Sequence, residues 1–215
     1  NNGLDDDDNE LIDDVWGYDW YSLDPLPLDQ NGHGTLVASI IAGTIGNGKG
    51  ISGITNNVGI RAFRTFDQFG RGGLPKFRTA SGASISDSLA AIATAVEDGC
   101  KILNLSYGGM GYSQLEADAY HALGSYDVLL IVAAGNEANY NDQTPTYPAS
   151  YQAACIVSVA AQDRTGGLAS FSNYGPVSTD LAAPGTDIRG ADVTRRTIYS
   201  TGFSSGMSGW SAYRN

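Results

Sequence analysis

The fold class predicted for this 215-residue sequence is α/β, a three-layer α/β/α sandwich with a mainly parallel sheet. Three observations point to it. Between residues 84 and 161, apolar segments of strand length alternate with segments of helical period, and such alternation implies right-handed crossovers between parallel neighbours. The strand-like segments are nearly continuous apolar runs, the pattern of a sheet covered on both faces. A hydrophobic content of 42% over this length suffices for the core of one domain spanning residues 1–215.

Taken in order, the elements justify that class. Residues 1–31 are acidic, rich in Trp and Tyr and weakly periodic, and read as an extended surface segment within the domain. "DDDDNELIDD" offers alternate carboxylates, which are hard-cation ligands. An EF-hand register starting at Asp5, however, puts Glu10 where the tight-turn glycine belongs and Trp16 where the bidentate acid belongs, so that motif is excluded. Another kind of structural calcium site and a solvated acidic loop both stay open. "NGHGTLVASIIAG" then opens a helix in which Val37, Ile40 and Ile41 form an apolar stripe.

In "SISDSLAAIATAVEDG", Leu89, Ile92, Ala93 and Val96 fall on one helical face, with Ser84 and Asp87 as a capping pair and Gly99 as the stop. "KILNLS" follows as a buried strand. "YSQLEADAYHALG" repeats the helix design, with Ser113 and Glu116 spaced as a capping box and Gly124 as terminator. "VLLIVAAG" and "CIVSVAA" are further strands, and "LASFSNYGPVSTDLAAPGTDI" has the Ser, Gly, Pro and Asn of loops joining short strands. Cys100 and Cys155 each open an apolar run and read as core.

Charge narrows the function classes. With 23 acidic against 12 basic side chains, the net charge of −11 repels phosphate backbones and anionic lipid, so no nucleic-acid or membrane partner is expected. No apolar run approaches the roughly 20 residues that span a bilayer. The segment "NNGLDDDD" lacks the basic start and apolar stretch of a signal peptide. A nucleotide-binding α/β domain would need a Gly-x-Gly-x-x-Gly opening a helix after a strand, and none is present.

Only two histidines can serve as acid-base groups near neutral pH. His121 lies near the end of a helix, where histidine ordinarily caps or faces solvent. His33 is flanked by Gly32 and Gly34 at a helix start, where the backbone can pass close to another group while the helix fixes the ring. A glycine-rich turn with an incidental histidine is the plainer reading of that stretch alone.

Seven stretches in a fixed order go further. "NGHGTLVASIIAG" closely resembles the histidine motif of the subtilisin-like serine proteases, the subtilases. "KILNLSYGG" resembles the strand and loop lining their substrate cleft, and "VAAGNE" their oxyanion segment; "YPAS", "CIVSVAAQD", "LASFSNYGP" and "LAAPGTDI" resemble the blocks that follow. The resemblance implies a subtilisin-like fold and a serine endopeptidase working through an acyl-enzyme, with His33 as base and Asn136 as oxyanion donor. For Asn136 the alternative is an asparagine that tolerates a tight turn after Gly135. Leu105, Ser106, Tyr107 and Gly108 become candidates for one wall of a strand-binding cleft, and Ala134 and Gly135 for the other. The implied partner is a polypeptide substrate and the implied state a monomer outside the cytoplasm, extracellular or at the cell envelope. The chemistry requires no cofactor, and a structural calcium ion is compatible with it.

Two departures from the family pattern bear on activity. The orienting acid is expected in an Asp-Ser/Thr-Gly triplet, and the sequence has none. Asp5 to Asp8, Asp13, Asp14, Asp19, Asp24 and Asp29 all fall where the chain resembles the segment between the family's aspartate and histidine, so the acid is expected upstream of residue 1 and none of these is assigned to it. At the other end, "SSGMSGWSAYRN" is where a Ser-Gly-Thr-Ser-Met-Ala nucleophile motif, opening a long buried helix, is due. Ser211 and Ser208 are the two registers. Ser211 is favoured because Ala212 suits a helix better than Gly209, although Trp210 replaces a threonine and "AYRN" lacks the expected small residues and proline. The chain, expected to be truncated at both ends, is expected to be inactive alone. An inactive subtilase-like fold that binds peptides or partners, or holds calcium, is the alternative.

Overall fold

The computed structural model describes residues 3–5, 9–67, 85–193 and, for the backbone only, 211–214. The chain divides into two compact units, Asn1–Ala91 with Ile188–Asn215, and Ile92–Asp187.

In the first unit the acidic segment is only partly a surface feature. β1 (Gly17–Asp19) pairs in parallel with β2 (Ala62–Arg64), with Asp19 opposite Arg64. Between them in sequence lies α1 (His33–Ala42). Strands of three residues are too short to leave a periodic signal, so neither was legible. Asp14 and Asp19 are buried, the first paired with Arg61 at 3.1 Å and the second with Arg64. A charge withdrawn from water requires such a partner. Tyr21 is buried as well, under the Arg64 guanidinium 5.1 Å from its ring centroid. The picture of a wholly superficial segment is therefore corrected at Asp14, Asp19 and Tyr21.

The apolar stripe of α1, Val37, Ile40 and Ile41, is half-buried. Its last carbonyls do not go unpaired: those of Ile40 and Ile41 accept the N–H groups of Ile54 and Thr55 at 2.9 and 3.1 Å.

α2 (Ile85–Glu97) forms where the helical period predicts, but its buried face is set one residue earlier. Ser88, Ala91, Ile92 and Ala95 are buried while Ala93 is exposed and Leu89 and Val96 are half-buried. Small side chains let a helix approach its neighbours closely, and here they outweigh the larger apolar residues in choosing the inward face. Ser84, the expected cap, lies outside the described residues. The helix stops at Gly99 as expected, with Cys100 N–H bonded to Ala95 O at 2.9 Å and Gly99 N–H to Val96 O at 3.0 Å, the paired bonds of a Schellman motif.

The second unit is built on β3 (Ile102–Leu105), α3 (Gln114–Leu123), β4 (Leu129–Ala133), β5 (Ile156–Gln162) and β6 (Leu181–Pro184). The four strands form one all-parallel sheet in sequence order, with Leu105 opposite Val132, Val132 opposite Ser158 and Val159 opposite Leu181. One face carries the core, Leu103, Leu105, Leu130, Val132, Ile156 and Ala160. Full burial of each large member contributes about 1.5–3 kcal/mol. The other face is incompletely covered: Ile102, Leu129 and Leu181 are 67%, 37% and 48% exposed. The apolar runs anticipated cover on both sides, and among the described residues one side has it in full.

At the head of α3, Ser113 Oγ accepts the Glu116 N–H at 3.3 Å, the first half of the expected capping box. The second half is replaced. Ser113 N–H donates to the Tyr151 hydroxyl at 2.9 Å, which lies 2.9 Å from Glu116 Oε2, so the buried carboxylate reaches the cap through a tyrosine. Of the two cysteines, Cys155 is buried and its Sγ donates to the Tyr120 carbonyl at 3.2 Å, whereas Cys100 is only half-buried; both are thiols.

β7 (Arg189–Asp192) and β8 (Ser211–Arg214) return to the first unit as an antiparallel pair. β7 is tied to α1 by the Ala191 N–H, which donates to Ser39 Oγ at 2.8 Å. The helix expected to open at Ser211 is corrected to a strand. The edge of β7 supplies the backbone partners that hold residues 211–214 extended. No helix among the described residues is long and apolar enough to cross a membrane.

Candidate active site

His33 is the first residue of α1, and its ring is exposed. The preceding Gly32 sits at φ +99°, in the left-handed region that glycine enters without a steric penalty. Having no side chain, Gly32 cannot cap the helix it precedes. Asp29 does so from three residues upstream: Oδ1 accepts the N–H groups of Asn31 and Gly32 at 2.9 and 2.8 Å, and Oδ2 accepts that of Thr35 at 2.8 Å. Partial burial alone would raise the pKa of this carboxyl, but the N–H bonds from Gly32 and Thr35 prevail and lower it. Sequence reasoning gave Asp29 no role; the available signal was an aspartate upstream of a helix whose own cap is glycine.

Ser211 belongs to the same unit. Its backbone pairs with Asp192 across β7 and β8, and Asp192 Oδ1 lies 3.4 Å from the point where a Cβ on Gly32 would stand. Ser208 lies outside the described residues. His121 is exposed near the end of α3, as its position suggested.

The remaining candidates gather at the carboxyl ends of β3 and β4, where parallel sheets place their functional loops. Leu105 ends β3 and is buried; Ser106 and Tyr107 are half-buried and Gly108 is exposed. Gly109 is closed off by an exchange of two backbone bonds with Tyr147, at 2.8 and 2.7 Å. Tyr107 is hydrogen-bonded to Tyr120, whose own hydroxyl is pushed up chiefly by burial. On the β4 side, Ala134 is buried, its N–H donates to Val159 O at 2.9 Å and its carbonyl accepts Asn141 Nδ2 at 2.8 Å. Gly135 is half-buried and Asn136 exposed. The Asn136 side-chain amide has no partner among the described residues, while its backbone N–H donates to Glu137 Oε2 at 2.9 Å.

A residue that sequence reasoning passed over holds this loop. Asn173, in "FSNYGP", is fully buried and bonds to both sides of Asn136, at Gly135 and at Glu137. Its stretch "LASFSNYGP" is among those resembling the family, but no periodic signal marks a polar residue for burial thirty-seven positions from the residue it serves.

Among the described residues, no three His, Cys, Asp or Glu side chains converge to hold a metal ion. Asp5 accepts the N–H groups of Asn9 and Glu10, and Asp13 that of Gly3, so these carboxylates order their own segment. Asp6, Asp7 and Asp8 lie outside the described residues.

The subtilase family model matches residues 2–212. A thermophilic serine proteinase of Bacillus sp. (strain AK1) is 35% identical over 190 residues, 88% of this chain and 43% of that protein. Thermitase of Thermoactinomyces vulgaris is 35% identical over 173 residues, 80% of this chain and 56% of that protein. The chain thus spans about half the length of these relatives. Among solved structures, the psychrophilic subtilisin-like protease Apa1 from the Antarctic psychrotroph Pseudoalteromonas sp. AS-11 aligns with TM-score 0.65 and 30% identity, over 85% of this chain and 39% of that one. The α/β class with a mainly parallel sheet is accordingly of the subtilisin-like kind. A match of this extent, over residues 2–212, makes this chain a member of the subtilase family.

Proposed function

We propose that this chain is the catalytic part of a serine endopeptidase, with His33 as general base, Ser211 as nucleophile and Asn136 as oxyanion donor. A serine hydroxyl is a poor nucleophile near neutral pH. A neutral His33 imidazole takes its proton as Ser211 Oγ attacks the scissile carbonyl, then returns it to the leaving amine, and water hydrolyses the acyl-enzyme by the reverse route. The negative charge on the tetrahedral oxygen needs donors already aimed at it, and removal of one such donor typically costs about 10²–10³ in kcat. The Asn136 amide, exposed at the end of β4 and without a competing partner among the described residues, supports that role and is the observation that carries the reading.

Polypeptide substrates, a monomeric state and a location outside the cytoplasm belong to the same proposal and rest on the family alone. The test is labelling of the protein in its full natural length with a serine-directed fluorophosphonate. Labelling should appear and should vanish in Ser211→Ala. Loss in Ser208→Ala with retention in Ser211→Ala would move the nucleophile to Ser208.

One observation favours a second reading, an inactive subtilase-like fold that binds peptides or holds a structural calcium ion: Ser211 lies in a strand paired with β7, not at the head of a helix. A folded full-length protein that takes up no fluorophosphonate would select that reading, and calorimetry with added calcium would then test the ion.

A further inference from the structure

We infer that Asn173 is a positioning residue, a buried amide clamp that sets the loop carrying Asn136 in the geometry an oxyanion donor needs. The inference rests on the reading of Asn136 as that donor. Asn173 is 0% exposed and uses both ends of its amide. Its Oδ1 accepts the N–H groups of Glu137 and Asn139 at 2.8 and 3.0 Å. Its Nδ2, with two hydrogens, is shared among three acceptors, Glu137 Oε2 at 2.8 Å, Asn141 Oδ1 at 3.1 Å and Thr146 Oγ1 at 3.1 Å. Its backbone N–H donates to Gly135 O at 2.9 Å.

These bonds bracket Asn136. The residue before it is held through its carbonyl, and the residue after it through both backbone and side chain. Glu137 Oε2 closes the ring by accepting the Asn136 N–H at 2.9 Å. An amide suits the position because it alone offers an acceptor and two donors in one plane; a carboxylate would face Glu137 with like charge, and a hydroxyl has one donor. Gly135 completes the device. It sits at φ +116°, and a Cβ there would run into Asn173 Nδ2, so the clamp occupies the space of the side chain that residue 135 lacks.

A clamp of this kind matters because misplacement of a reacting group by about 1 Å can cost about 10²-fold in rate. A purely structural asparagine would stabilise the unit without bearing on Asn136, and a double-mutant cycle separates the two. In the full-length protein, kcat and KM for a peptide substrate are measured for the wild type, Asn136→Ala, Asn173→Ser and the double variant. Asn173→Ser should lower kcat by about 10²-fold with KM changed by less than about twofold, and should cause no further loss once Asn136 is gone. Unchanged kcat in Asn173→Ser, or a loss that adds in full to that of Asn136→Ala, would overturn the inference.

Amide hydrogen exchange provides the second arm. In Asn173→Ser the Glu137 and Asn139 amides should exchange about tenfold faster or more, with the α3 amides unchanged. Unaltered exchange at both would overturn the clamp whatever the kinetics. A wild-type protein without peptidase activity, together with the expected exchange, would reject the protease reading and uphold the clamp. Asn173→Asp keeps the acceptor oxygen while removing the donors, and covers the case in which Asn173→Ser fails to fold; it should preserve the Glu137 and Asn139 amides yet lose kcat to the same degree.

Discussion

The turn before α1 and the loop after β4 each carry one exposed candidate side chain, His33 in the first and Asn136 in the second, and they are fixed by different chemistry. At His33 the work falls to one partly exposed, ionised carboxylate, Asp29, which gathers three backbone N–H groups within six residues of chain. At Asn136 it falls to a neutral amide with no solvent exposure, Asn173, reaching across more than thirty residues. A local ionic cap forms as soon as the turn forms and answers to pH. A remote neutral clamp forms only when the unit closes, resists acid through its own chemistry, and leaves several buried groups unpaired if lost.

That contrast orders the expected effects. Asn173→Ala takes the partner from the buried Asn141 and Thr146 side chains and from the Glu137 and Asn139 N–H groups, and should destabilise the protein by about 3–5 kcal/mol, read as a lower urea midpoint at unchanged slope. Gly135→Ala forces a Cβ into the clamp at a positive φ and should cost about 2 kcal/mol in the same titration. Equal stability in either variant would remove the distinction between the two loops. Asp29→Ala should cost only about 1 kcal/mol, the usual worth of a helix cap, with faster exchange confined to the first turn of α1.

The smallest effect is the pH dependence. Because the folded-state pKa of Asp29 lies below the ordinary aspartate value of 3.8, the ionised form is favoured by folding. Its contribution is therefore fully present above that value and is lost as pH falls through the lower, folded-state pKa. Acidification below pH 4 should loosen the amides of Gly32 and Thr35, after correction for intrinsic exchange rates, and Asp29→Asn should abolish that loosening. If the Glu137 and Asn139 amides loosen first, the two loops are not held as described.

Legibility followed the range of the interactions. α3 and its Ser113 cap, the Gly99 stop and the strands β3, β4 and β5 could be read because their signals lie within a few residues of each other. The placements of His33 at a helix start and of Asn136 beyond a strand end were legible for the same reason. The inward face of α2 was misjudged by one residue, since the size of Ser88, Ala91 and Ala95 mattered more than the hydrophobicity of Leu89 and Val96. β1 and β2 escaped notice because three-residue strands are created by their partner, not by their own period. At Ser211 the expected helix gave way to a strand, because the nearby edge of β7 offered backbone bonds that "SAYR" could not make alone.

By itself, then, the amino-acid sequence determined what depends on local propensity and short spacing: the α/β alternation, the helix boundaries of the second unit, and the two stretches that carry His33 and Asn136. Only the tertiary structure decided which polar groups go inside. Asp14 and Asp19 are buried because Arg61 and Arg64 come back to meet them, and Asn173 is buried because Glu137, Asn139, Asn141 and Thr146 converge on its amide. Burial of a polar group is tolerable only when partners distant in sequence are already in place, and that condition is set by the folded chain as a whole.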